Sequence, residues 1–67
     1  MPVVSIKMAE GRSVEQKRRL VRSVTDALVS ELGVKPEWVT VLIEELSREN
    51  WATAGELHSD KLSGGGK

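Results

Sequence analysis

The sequence predicts an α/β fold, with two parallel strands joined by a single crossover helix in a β-α-β unit. Three observations lead there. A stretch of period two stands near the start, a stretch of helical period fills the middle, and a second run rich in β-branched side chains follows. About 30 residues with one long helix separate the two extended runs, which makes a right-handed crossover with parallel pairing the natural topology.

The first strand is expected over residues 2 to 8, Pro-Val-Val-Ser-Ile-Lys-Met. Alternation puts Val4, Ile6 and Met8 on one side and Val3, Ser5 and Lys7 on the other. Glu10-Gly11-Arg12 interrupts the run, and Ser13 with Gln16 matches a capping box, so a helix should begin at Ser13. From there Leu20, Val21, Val24, Ala27, Leu28 and Leu32 form an apolar stripe, while Lys17, Arg18, Arg19, Arg22, Asp26 and Ser30 take the remaining surface. That is a helix of about five turns. Gly33 ends it, and Pro36 prevents its resumption. Residues 38 to 46, Trp-Val-Thr-Val-Leu-Ile-Glu-Glu-Leu, are the second strand, and Val41-Leu42-Ile43 suggests cover on both faces. Residues 47 to 57 look like a turn and a short extended segment closing at Gly55-Glu56-Leu57. Residues 1–62 are taken as one domain, and 63–67, Ser-Gly-Gly-Gly-Lys, as a flexible tail.

Composition narrows the functions open to such a chain. With 67 residues, 39% of them hydrophobic, it is one domain at most, and a chain this small buries only roughly 60% of the surface that its unfolded form exposes. No cysteine and a single histidine, His58, leave neither a disulfide nor a zinc site to compensate. Ten basic residues balance ten acidic ones, which offers nucleic acid or an anionic membrane no broad attraction. No apolar run approaches a membrane span and no basic-apolar leader opens the chain, so a cytoplasmic protein is expected. One helix covers only one face of a two-stranded sheet, and the other face and both edges need partner chains. An obligate homo-oligomer with sites assembled from more than one chain is therefore expected.

Most catalytic schemes lack their parts. There is no thiol nucleophile, no convincing base for a serine, and no glycine-rich phosphate loop followed by a helix. Glu44 and Glu45 are strand neighbours and point to opposite faces, so they would not share one site. Lys17-Arg18-Arg19 with Arg22 is read as a solvated face, because Glu15, Asp26 and Glu31 are interspersed with it. Trp38 is read as structural and His58 as exposed and incidental. One further group is the nitrogen of Pro2, which becomes a terminal secondary amine once Met1 is removed, as happens readily before a small second residue. Terminal amines titrate near about 7.7 to 8.0, lower in an apolar site or beside a cation, so this one can be a neutral base.

Pro2 before a short strand, Glu10-Gly11-Arg12-Ser13 with Glu15-Gln16-Lys17, Ile43-Glu44-Glu45-Leu46, Trp51 and the closing Gly55-Glu56-Leu57 resemble the 4-oxalocrotonate tautomerase family over nearly residues 2 to 57. The resemblance implies a β-α-β subunit in a hexamer, a trimer of dimers. Its amino-terminal proline would shuttle a proton in a small enol or dienol acid, such as 2-hydroxymuconate or phenylenolpyruvate, without cofactor or metal. By position Pro2 matches the catalytic base, Arg12 the arginine that holds a substrate carboxylate, and Trp51 the aromatic wall. Where better-studied members carry a second arginine in the second strand, this chain has Thr40, a hydrogen-bonding group without charge. Arg48 and Lys7 are the cations considered as replacements. Two other outcomes of the resemblance are a hydratase or dehalogenase of the same superfamily, and a non-catalytic oligomeric module.

Overall fold

In the computed structural model, residues 1–63 are described, so positions 64–67 of the expected tail lie outside the described residues. Strand β1 (Val3–Ala9) leads to helix α1 (Val14–Leu32), and strand β2 (Thr40–Leu46) returns alongside β1 in parallel, with Val3 opposite Thr40 and Ala9 opposite Leu46. The expected β-α-β unit is present. Helix α1 starts where the capping box places it. The Gln16 amide donates to Ser13 Oγ at 3.1 Å, and the Ser13 amide donates to Gln16 Oε1 at 3.0 Å. At the other end Gly33 takes the left-handed conformation, φ 69°, and its N–H donates to the Val29 carbonyl.

The second strand starts later than expected. Trp38 belongs to a 3₁₀ turn, Pro36–Trp38, and β2 begins only at Thr40. Pro36 has a φ preset for the first position of such a turn, and the Trp38 and Val39 amides are spent on Lys35 and Pro36 carbonyls. Beyond β2 a second 3₁₀ turn, Arg48–Asn50, precedes a small hairpin of β3 (Ala52–Thr53) and β4 (Glu56–Leu57), and helix α2 (His58–Ser63) closes the described chain. The turn expected at the start of 47 to 57 is present, and the one short extended segment expected after it is two strands. Both turn residues, Ala54 (φ 57°) and Gly55 (φ 79°), are left-handed, which reverses the chain in two residues. Ser63, assigned to the tail, is the last residue of α2.

Helix α1 covers the sheet face carrying Val4, Ile6, Met8, Val41 and Ile43, all half-buried. The opposite face is bare: Val3 is 60% and Leu42 54% exposed, so the cover expected on both faces of β2 is not supplied within the chain. Among the described residues no side chain is fully buried. The radius of gyration is 15.6 Å, against about 11 Å for a compact chain of this length. No helix among the described residues is long and apolar enough to cross a membrane.

Candidate active site

The parallel register separates the candidate residues into two groups. Pro2 stands at the head of β1, half-buried, and its carbonyl accepts a hydrogen bond of 3.1 Å from the Thr40 amide. Thr40 is exposed beside it, and Met1, 83% exposed, projects in front of it. Arg12 lies past the other end of β1, seven residues and about 20 Å away at the usual strand rise. The Glu10 amide donates to the Leu46 carbonyl there, so the Arg12 loop and the segment leading to Trp51 leave the sheet from the same end. Within one chain, Pro2 and Thr40 therefore share one end of the sheet, and Arg12 and Trp51 lie beyond the other.

At the Arg12 end a hollow of about 170 Å³ is lined by Met8, Arg12, Gln16, Lys17 and Leu20. Lys17, placed on the solvated face by the sequence, turns inward and pairs with Glu45 at 2.7 Å. That ion pair uses the one carboxylate of the Glu44-Glu45 pair that faces the helix, and among the described residues no carboxylate lies within ion-pair distance of Arg12. A larger groove of about 600 Å³ runs along Arg18, Val21, Arg22, Thr25, Asp26 and Pro36, and none of the candidate residues lines it. Neither proposed replacement for the missing strand cation lies at the Pro2 end. Lys7 is exposed opposite Glu44, and Arg48 sits in the 3₁₀ turn beyond β2.

Trp51 is half-buried and has a partner that the sequence did not suggest. The His58 ring stacks on it with centroids 4.9 Å apart and planes 26° from parallel, and His58 Nε2 shares a 2.9 Å hydrogen bond with Thr53 Oγ1. His58 is thus half-buried and engaged, not exposed and incidental. Its spacing from Trp51 says nothing until the two-residue turn brings the strands together. Only the Ala54-Gly55 pair between two short runs could have signalled that turn. Trp38 is 45% exposed under the Lys35 ammonium, which lies 5.5 Å from its ring. Among the described residues, no three His, Asp or Glu side chains gather as metal ligands would.

The chain is similar to known proteins in both sequence and fold. A family model described as tautomerase enzyme matches residues 2–61. The 2-hydroxymuconate tautomerase of Bacillus subtilis (strain 168) is 47% identical over 60 residues, covering 90% of this chain and 97% of that protein. Among solved structures, a 4-oxalocrotonate tautomerase isozyme of Methylibium petroleiphilum superposes with a TM-score of 0.91 at 38% identity, covering 94% of this chain and 98% of the other. A heterohexamer 4-oxalocrotonate tautomerase of Chloroflexus aurantiacus J-10-fl gives a TM-score of 0.85 at 32% identity, covering 90% and 97%. With a family model matching residues 2–61, a relative 47% identical over nearly its whole length and a shared β-α-β fold, this chain belongs to the tautomerase family.

Proposed function

We propose that the chain is a cofactor-independent enol-keto tautomerase of small enol or dienol acids, with the nitrogen of Pro2 as the proton carrier. The observation that carries this reading is the place of Pro2 at the head of β1. Its carbonyl is pinned to Thr40, and the residue before it, Met1, is exposed and open to removal by an aminopeptidase. Freed from Met1, the neutral secondary amine takes the proton of the substrate's enol hydroxyl, which leaves an enolate and a prolinium. The prolinium then returns that proton to carbon, giving the keto acid and restoring the free amine. Arg12 holds the substrate carboxylate through two parallel donors, and Trp51 excludes water from the amine.

Because Pro2 and Arg12 stand at opposite ends of one sheet, the pocket needs Pro2 from one chain and Arg12 and Trp51 from others. The bare sheet face and the absence of a fully buried side chain among the described residues support association of chains, and the family resemblance makes that association a homo-oligomer built as a hexameric trimer of dimers. Thr40 offers no positive charge for a second carboxylate, so mono-acid enols such as phenylenolpyruvate are favoured relative to the diacid 2-hydroxymuconate.

The test is a spectrophotometric assay of both enol acids, after intact-mass measurement has established the loss of Met1. Pro2→Ala is expected to lower kcat/KM by about 10²-fold or more, and Arg12→Ala by about 10²- to 10³-fold. Because only the free amine accepts the proton, wild-type kcat/KM should fall as the pH drops through the amine's titration. The hydratase alternative, which uses the protonated form, would show the reverse. Unchanged turnover in both variants would sink the assignment.

A further inference from the structure

The geometry points to His58 as a positioning residue for Trp51, a role that rests on reading Trp51 as a wall of the tautomerase pocket. Three links join His58 to the opposite side of its hairpin. Its ring lies on the indole at 4.9 Å, its Nε2 bonds to Thr53 Oγ1 at 2.9 Å, and its backbone N–H donates to the Trp51 carbonyl at 2.7 Å. The hairpin needs such a fastening. It pairs only Ala52 with Leu57 and Thr53 with Glu56, too little ladder to fix a large side chain at its base. An indole one residue before so short a strand would be free to turn about its side-chain torsions. The imidazole removes that freedom by covering one face, and Thr53 fixes the imidazole in turn. The indole face turned away from His58 is then the one left to meet substrate. An aryl enol acid, which stacks on that face, depends on the clamp more than a linear dienol acid does.

Two readouts test this in the full-length protein, with far-UV circular dichroism confirming that each variant folds. His58→Ala is expected to raise KM for phenylenolpyruvate about two- to tenfold while kcat changes less than about twofold. The KM for 2-hydroxymuconate should move less. In a Trp38→Phe background, where Trp51 is the only indole, the same substitution should lower the fluorescence anisotropy of Trp51 as the ring gains freedom. His58→Phe, which keeps a stacking ring, should restore both KM and anisotropy. His58→Gln, which keeps only a polar partner for Thr53, should restore neither. Unmoved KM and anisotropy in His58→Ala, with Pro2→Ala still inactive, would overturn the clamp and leave the reaction standing. A wild type without turnover but with a freed Trp51 in His58→Ala would overturn the reaction and leave the clamp.

Discussion

The body of the chain, Val3–Leu46, and the arm beyond it, Arg48–Ser63, are held together in different ways. The body rests on long-range pairing: seven register pairs join strands about 30 residues apart in sequence, and a helix of 19 residues covers one face of the sheet. The arm rests on neighbours: two pairs of residues, one ring stack and a helix of six residues that packs back on the 3₁₀ turn before the hairpin. Neither region completes a core, yet they lack it differently. The body exposes Val3 and Leu42 on an uncovered sheet face that also carries Ser5, Lys7 and Glu44, whereas the arm is built from short local contacts. In the proposed assembly the body carries the shared surface, and the arm is a local structure whose use lies in what it presents to a neighbouring chain.

Substitutions can sharpen or break that contrast. The largest effect is expected on the bare face of the body. Leu42→Glu would place a charge where the proposed assembly packs a partner chain, costing several kcal/mol, and sedimentation at micromolar concentration should show that assembly dissociating. An assembly that survives this change would mean that the sheet face is not the shared surface. Next comes the helix cap. Ser13→Ala removes the acceptor of the Gln16 amide and should cost about 1 kcal/mol, read in urea melts at fixed protein concentration. The smallest effect belongs to the arm and has the opposite sign. Ala54 is a residue with a side chain at φ 57°, and Ala54→Gly should stabilise the protein by about 0.5 kcal/mol once the greater freedom of glycine when unfolded is offset. A loss there as large as that of Ser13→Ala would show that the arm is not locally determined.

The same contrast explains what the sequence revealed. Period two, period 3.6, the Ser13-Gln16 box and Gly33 all act within a few residues, so the order of elements in the body is legible from them, with β1 starting one residue and β2 two residues later than the sequence predicts. Trp38 and Val39 have β propensity, but the turn that starts at Pro36 takes up their amides. In the arm, signals of two residues are too short for any period to register, and the hairpin and the Trp51–His58 stack went unread. The inward turn of Lys17 was equally hidden, because the residue that recruits it, Glu45, lies 28 positions later in the chain. At the site, sequence position supplied Pro2, Arg12, Thr40 and Trp51, and the register showed that one chain does not bring them together.

That division at the two ends of β1 reaches beyond the single polypeptide. In the proposed assembly each copy lends its head to one cavity and its far loop to another, so an altered copy leaves its mark on two cavities at once. Where two slightly different copies are mixed, the resulting cavities have mixed parentage, with properties that neither sequence possesses when assembled only with itself.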